Sequence, residues 1–210
     1  MKQEFYKLLL SWPKPFITDT DLSAVVGGTD ASRYGLVNRA LKEGLLIHIR
    51  RGLYVISVTG REISLNLFEL SQFIYGPSFI SLESALHYHG AIPEAIYAIT
   101  AVTMKRSKEF ETPMGHFFYQ SVPKDQFLLG VQRVEQNMAS FFLATPWRAI
   151  ADLMYAKRKF WNHLNELCED MRIEIDWIQN VDHEILEELK TKYPHKKIRE
   201  TLNKFLDEIT

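Results

Sequence analysis

Apolar positions in the first thirty residues recur at spacings of three and four, which is the period of an amphipathic helix. This spacing predicts a first helix over residues 1–12, which a pair of prolines ends. It also predicts a short second helix that begins at Thr18 or Asp19, since either side chain can cap a helix N-terminus. Gly27 and Gly28 follow, and they supply the backbone freedom of a tight turn.

The same pattern predicts a third helix over residues 31–43, with Thr29 or Asp30 as its cap and Gly44 just beyond its end. Two β-prone runs then flank the turn Arg50-Arg51-Gly52, which predicts a β-hairpin. Three helices followed by a hairpin with arginines at its tip is the order of a winged helix-turn-helix. In that fold the third helix enters the major groove of DNA, and the hairpin, or wing, contacts phosphate.

The remainder of the chain alternates between helical and strand-like patterns. The predicted elements are helices at 63–75 and 81–90, strands at 95–104, 116–122, 127–132 and 140–144, a helix from Thr145-Pro146, and helices at 160–171, 182–192 (with Asp182 as cap) and 194–209. The expected fold class is therefore α+β. We expect a winged helix-turn-helix domain at residues 1–60 and a mixed α/β domain at residues 61–210 that ends in helices.

Charge is distributed unevenly along this chain of 210 residues, although its net charge is only −1. Residues 1–60 contain 8 Lys and Arg against 5 Asp and Glu, a net +3, whereas residues 61–154 and 155–210 are each −2. Any contact with nucleic acid is therefore expected in the first segment. The single cysteine, Cys168, excludes an intrachain disulfide and suits a reducing compartment. With no apolar run long enough to span a bilayer, we expect a cytoplasmic protein that does not enter the membrane.

Helical geometry predicts which side chains of the third helix are available to DNA. Leu36, Val37, Ala40 and Leu41 fall on one side and are expected in the core, whereas Asn38, Arg39 and Lys42 fall on the side of Gly35. Arg39 is expected to bind guanine, and Asn38 to bind adenine. Lys42, Arg50 and Arg51 are expected to contact phosphate. Arg33 falls on the core side, so it is a secondary candidate that either reaches phosphate around the first turn or only extends its side chain along the protein to solvent. Ser32 or Tyr34 is the least favoured phosphate contact, at the start of the helix. The DNA-binding residues predicted are thus Ser32, Arg33, Asn38, Arg39, Lys42, Arg50 and Arg51.

An enzymatic role is not expected, because the sequence lacks the common phosphate-binding, dinucleotide-binding, nucleophile-elbow and zinc-protease motifs. Asp19-Thr20-Asp21 resembles a metal-binding carboxylate pair, but the glycines follow it instead of preceding it. His87 and His89 are two residues apart on a helix and point in different directions, so they are expected to be satisfied polar residues. We expect no catalytic residue, metal or cofactor. The alternative to DNA binding is a protein-interaction module that binds a toxin or another partner.

Four stretches resemble the AbiE-type antitoxins of type IV toxin–antitoxin systems, which act in abortive infection of phage-infected cells. They are RRGLYVI at residues 50–56, YGPSFISLESALHYHGAIPE at 75–94, AITAVTMKR at 98–106 and ATPWRAIADLMYAKR at 144–158. The resemblance implies an N-terminal winged helix that represses its own operon by binding inverted repeats of double-stranded DNA, with a homodimer as a possible form on the operator. It also implies a second domain that counters a nucleotidyltransferase toxin. Glu83 and Asp152, which lie in these stretches, are expected to hold helices together.

Overall fold

The structure, a computed structural model, describes residues 2–60, 63–93, 97–181 and 183–209. It is a mixed α+β chain that divides into two compact units. The first comprises residues 1–74 and 112–114, and the second comprises residues 75–111 and 115–210. The first unit thus extends beyond the predicted boundary at residue 60. No helix in the described ranges has the length and apolar character needed to cross a bilayer.

The first unit contains the three predicted helices in the predicted order. They are α1 (Lys2–Ser11), α2 (Asp19–Val25) and α3 (Asp30–Lys42). The sequence left threonine and aspartate as alternative caps of α2 and α3, and in the structure threonine caps both helices. The Thr18 side chain accepts a hydrogen bond from the amide of Asp21, whose carboxylate accepts one in return from the amide of Thr18, and this reciprocal pair is a capping box. Thr29 caps α3.

The first unit also contains a three-stranded antiparallel sheet. The predicted hairpin is present as β2 (Leu46–Arg50) and β3 (Leu53–Ile56), and β1 (Phe16–Thr18) pairs with the other side of β3. Strand β1 was not predicted, because three residues are too short to show the alternation of a strand. The helices and this sheet enclose one apolar core, with these buried members: Phe5, Leu9, Ile17, Leu22, Leu36, Val37, Ala40, Leu46, Tyr54, Ile56 and Val58.

Helix α4 (Leu67–Ile74) also belongs to the first unit. It begins later than residue 63, because the Asn66 side chain accepts hydrogen bonds from the amides of Phe68 and Glu69 and so caps the helix. Its side chains contact the segment before α2, where Phe73 packs on Phe16 and Glu69 pairs with Lys14.

The second unit is built on a six-stranded mixed sheet with the strand order β6-β7-β5-β4-β9-β8. Its strands are β4 (Ser78–Ile80), β5 (Ala98–Thr103), β6 (Lys108–Thr112), β7 (Gly115–Ser121), β8 (Val131–Gln136) and β9 (Ala139–Ala144). Parallel pairs join β5 to β7 and β4 to β9, and antiparallel pairs join β4 to β5 and β8 to β9.

The helices that belong to the second unit pack on this sheet or on one another. They are α5 (Leu82–Tyr88), α6 (Pro146–Lys157), α7 (Leu164–Met171), α8 (Ile175–Gln179), α9 (Glu184–Lys192) and α10 (Lys196–Ile209). Helix α6 is the central one, because it contacts α5, α9, α10 and β9. Its residues from Trp147 to Met154 are all buried.

Several predicted elements in the second unit differ from the structure. Residues 127–130 form a turn, and the strand predicted at 127–132 begins only at Val131 and ends at Gln136. Strands β4 and β6 and helix α8 were not predicted, and the helix predicted from residue 160 begins at Leu164. Asp182, the predicted cap of α9, lies outside the described residues, as does the start of the predicted 95–104 strand.

A buried ion pair holds the centre of the second unit together. The Arg148 guanidinium donates to the Asp152 carboxylate at 2.9 Å, one helical turn away on α6. Asp152 also accepts hydrogen bonds from the hydroxyls of Ser81 (2.8 Å) and Tyr193 (3.0 Å). Burial and the nearby Asp152 charge raise the pKa of Tyr193, so its phenol stays protonated and remains a donor. The expectation that Asp152 holds helices through buried hydrogen bonds is confirmed.

Replacing Asp152 should destabilise the second unit strongly. The change Asp152→Ala leaves the Arg148 guanidinium buried without its counter-charge, and we expect a loss of about 3–5 kcal/mol in the free energy of unfolding. Glu188→Ala removes one half of an exposed pair with Lys192 and should cost no more than about 1 kcal/mol. Urea unfolding followed by tryptophan fluorescence measures both, since three of the four tryptophans lie in the second unit. Equal losses in the two variants would contradict the structural role assigned to Asp152.

Candidate nucleic-acid interface

Helix α3 has one buried side and one exposed side, as its sequence predicts. Leu36, Val37 and Ala40 are buried in the core of the first unit, and Leu41 is half-buried. On the opposite side Arg39 and Lys42 are exposed. Neither forms an ion pair with any carboxylate of the described residues, so both charges are available to a ligand.

Three further residues of α3 define the surroundings of these cations. Asn38 and Gly35 are half-buried, and Ser32 is exposed at the start of the helix. The hydroxyl of Ser32 donates to the carbonyl of Thr29 at 2.8 Å, and the amide of Ser32 donates to the hydroxyl of Thr29. Ser32 therefore takes part in the helix cap, and its hydroxyl oxygen remains able to accept one more hydrogen bond.

Arg33 lies on the core side of the helix, as the 100° rotation per residue predicts. Its guanidinium donates to the carbonyl of Gly28 and pairs with the carboxylate of Asp30. Arg33 thus ties the turn before α3 to the first turn of the helix. Its charge is balanced by an exposed aspartate, which makes it a weaker candidate for phosphate than Arg39 or Lys42.

The two arginines at the tip of the hairpin have different surroundings. Arg51 is exposed and makes no ion pair with any described residue. Arg50 is half-buried, and its guanidinium donates to the main-chain carbonyl of Ile74 at the end of α4. Because this bond orients the Arg50 side chain along α4, Arg51 is the better placed of the two for phosphate.

The hairpin tip is fastened to the start of α2. The amide of Asp19 donates to the carbonyl of Gly52 at 3.0 Å, and the Asp19 carboxylate lies against Gly52 on the same side. Burial and Asp19, through its charge and a hydrogen bond, raise the pKa of Tyr54 on β3. The neutral Tyr54 phenol therefore positions the Asp19 carboxylate beside the turn, while the Asp19 amide binds the turn itself. Sequence interpretation missed this role of Asp19, since the residue was considered only as a cap or as half of a metal-binding pair.

A cleft of about 470 Å³ lies between α2, α3 and the hairpin. Its walls include Arg33, Arg51, Tyr34, Asp19 and Asp30. Tyr34, the alternative to Ser32 as a phosphate contact at the start of α3, is 69% exposed. An exposed tyrosine at this position offers a hydroxyl and a flat ring to a bound ligand.

The residues considered for metal chemistry do not form such a site. His87 approaches the carbonyl of Ile92, and the ring of His89 lies 2.8 Å from the carbonyl of Ala144, so both are satisfied by the backbone. Asp21 is used in the cap of α2. Within the described ranges no three His, Cys, Asp or Glu side chains are grouped so that they would hold a metal ion.

Comparison with known proteins gives no family assignment. No family model matches the chain, and no curated protein matches its sequence.

Two glycines form a matched pair of substitutions that test how the β2–β3 hairpin is attached. Gly52 and Gly44 have similar positive φ angles, +77° and +70°, so alanine is strained at both. At Gly52 the added Cβ would also lie 3.0 Å from an Asp19 carboxylate oxygen, whereas at Gly44 it meets nothing within 4 Å. We expect Gly52→Ala to lower the local stability of β2 and β3 by about 1 kcal/mol more than the change at Gly44 does.

Hydrogen–deuterium exchange of the full chain measures this difference in peptides that cover residues 46–56. Faster exchange in Gly52→Ala than in Gly44→Ala supports the attachment of the hairpin through Asp19. The same exchange in both variants would show that the carboxylate contributes nothing to the position of the wing.

Proposed function

We propose that the first unit is a winged helix-turn-helix that binds double-stranded DNA, with α3 as the recognition helix and the β2–β3 hairpin as the wing. The observation that carries this proposal is the exposed side of α3, where Arg39 and Lys42 have no carboxylate partner among the described residues. Cations held apart from counter-charges on one helix face are the features that a DNA-binding surface requires.

The wing supports the same proposal. In a winged helix the hairpin follows the recognition helix and brings basic residues to the DNA backbone. Here the hairpin follows α3 directly, and Arg51 at its tip is exposed. The hydrogen bond from the Asp19 amide to the Gly52 carbonyl restricts the turn, so less entropy is lost when the tip contacts phosphate.

We assign each predicted DNA-contact residue a role according to its surroundings. Arg39 forks onto the edge of a guanine, and Asn38 pairs with an adjacent adenine. Lys42 and Arg51 neutralise phosphates, and Ser32 bonds a phosphate near the start of α3. Arg33 and Arg50, whose guanidinium groups already bind protein atoms, contribute chiefly by holding α3 and the hairpin in position.

We propose further that the chain is a transcriptional autorepressor and antitoxin of a type IV toxin–antitoxin system. The support is the resemblance of residues 50–56, 75–94, 98–106 and 144–158 to AbiE-type antitoxins. On this proposal a homodimer binds an inverted repeat in its own operator, and the chain counters a nucleotidyltransferase toxin. It acts as a regulator, not as an enzyme, in the cytoplasm, where the thiol of Cys168 stays reduced.

Two substitutions distinguish base recognition from phosphate contact. Arg39→Ala should lose about 1–3 kcal/mol of discrimination between operator and scrambled DNA, because a bidentate bond to guanine is lost. Arg51→Ala should weaken binding to both sequences equally and reduce the slope of log K against log salt by about 1. Fluorescence anisotropy with the DNA upstream of the coding sequence, measured at several salt concentrations, gives both quantities.

Lys7→Ala is the matched control, because it removes an exposed positive charge from α1 of the same unit. It should leave sequence preference unchanged and affect the salt slope less than Arg51→Ala does. If the wild-type chain shifts neither upstream DNA nor sequences selected from a random library, the first unit is a protein-interaction module instead. An unchanged preference in Arg39→Ala would remove that residue from base recognition.

The antitoxin role has its own test, independent of DNA affinity. The proposal requires that a nucleotidyltransferase is encoded beside this gene. Its expression should arrest growth, and co-expression of the full chain from an unrelated promoter should restore it. Arg39→Ala should restore growth as well as the wild type does, because the promoter no longer depends on repression. Continued arrest in the presence of the wild-type chain would refute the antitoxin role and leave the DNA-binding role intact.

A further inference from the structure

A cleft of about 670 Å³ in the second unit lies apart from every residue assigned above to DNA binding. It is formed where the end of α6, the end of β7 and the start of α10 meet. Its volume falls within the roughly 300–1,000 Å³ that is usual for small-molecule sites. The residues that line it are Ser107, Gln120, Ser121, Met154, Tyr155, Ala156, Arg158, Phe160, His195 and Lys197.

The charged residues of this cleft are all of one sign. Arg158 and Lys197 are exposed, neither pairs with a carboxylate of the described residues, and no acidic side chain is part of the lining. The lysines next to them in the sequence do have carboxylate partners, since Lys157 pairs with Glu83, Lys159 with Asp170 and Lys196 with Glu200. The cations that face the cleft are therefore the ones left without a counter-ion, which suits an anionic ligand.

Aromatic rings line the same cleft beside the cations. The imidazole of His195 stacks on Phe160 with an interplanar angle of 27°, and Tyr155 meets the same imidazole edge-on. The ammonium of Lys197 lies 4.0 Å from the centroid of the Phe160 ring. All three rings are half-buried, so each retains exposed surface for contact with a flat ligand group.

Polar groups remain unused around these rings. The Nδ1 atom of His195 is buried and has no hydrogen-bond partner among the described residues. The amides of Ile198 and Arg199 donate to the carbonyl of His195, so His195 closes the first turn of the fourteen-residue helix α10 beside the cleft. The partial positive charge of this helix end adds to that of Lys197.

Ser107, Gln120 and Ser121 add neutral donors and acceptors to the lining of the cleft. The Ser107 hydroxyl accepts from the amide of Ser121 at 2.9 Å and lies 3.3 Å from the Gln120 side-chain oxygen. This bonding orients the Gln120 side chain and leaves its amide nitrogen free to donate to a ligand.

We propose that this cleft binds a nucleoside phosphate. The phosphate lies between Arg158 and Lys197, and the base contacts the rings of Tyr155 and Phe160. Inorganic phosphate alone would leave the aromatic wall unused, and an uncharged nucleoside would leave the two cations unused. A ligand that has both a flat ring and a phosphate group satisfies both halves of the cleft.

Isothermal titration calorimetry of the full chain with each of the four ribonucleoside 5′-monophosphates tests the proposal. We expect at least one of them to bind at least tenfold more tightly than its own nucleoside and than inorganic phosphate. The double variant Arg158→Asn/Lys197→Gln should lower that affinity at least tenfold. Asparagine is chosen because Arg158 has a positive φ of +51°, which asparagine tolerates.

Lys204→Gln is the matched control, since it removes an exposed charge from the far part of the same helix. It should leave the affinity unchanged, and all variants should unfold in urea at the wild-type midpoint when followed by tryptophan fluorescence, which shows that the second unit folds. The proposal is overturned if none of the four monophosphates binds at millimolar concentration, if the double variant binds as tightly as the wild type, or if inorganic phosphate binds as tightly as the best nucleotide. Affinity for single-stranded RNA that rises with its length, far above that of the monophosphates, would likewise replace a nucleotide site with a polymer-binding surface.

Discussion

Burial of one side of α3 fixes what the other side of that helix presents to solvent. Leu36, Val37 and Ala40 are held in the core of the first unit, so rotation of the helix about its axis would expose apolar surface and is disfavoured. With the rotation fixed, Arg39 and Lys42 must point outwards. The proposed DNA-binding surface is therefore a consequence of core packing, and it does not depend on any contact among the cations themselves.

The position of the hairpin tip is fixed in a different way, because the tip has little apolar surface to bury. Its position relies on polar contacts, in which Asp19 binds the backbone of Gly52 and the phenol of Tyr54 supports the carboxylate. An acidic residue next to a proposed DNA-binding surface would ordinarily oppose phosphate. Here the carboxylate lies against the turn and is hydrogen-bonded to Tyr54, so part of its hydrogen-bonding capacity is already used within the protein, while Arg51 is exposed.

The sequence was sufficient for those parts of the fold that rest on local signals. Helices α1 to α3 and the β2–β3 hairpin each have a pattern or turn chemistry of their own, although the choice of threonine over aspartate as the cap of α2 and α3 came only from the structure. Elements whose conformation depends on contacts with residues distant in the sequence were not predicted. Residues 127–130 are apolar enough for a strand, yet they form a turn because the buried Arg148 guanidinium binds the carbonyls of Gln126 and Leu129. The bond from Arg50 to the carbonyl of Ile74 likewise joins positions too far apart in the chain for any periodicity to indicate.

The sequence also did not show which cations are paired with a carboxylate. In both units this pairing separates the cations that stabilise the structure from those proposed to bind a ligand. Arg33 and Lys157 have flexible side chains like their neighbours, but each is paired with a carboxylate. Arg51 and Arg158 lie one residue from a paired or bonded cation and have no such partner in the described ranges. An exposed cation in water contributes little to folding, so its lack of a partner costs the protein almost nothing. When such a cation at the proposed wing or in the aromatic cleft binds a phosphate, no intramolecular ion pair must first be broken. The free-energy cost of binding is therefore small.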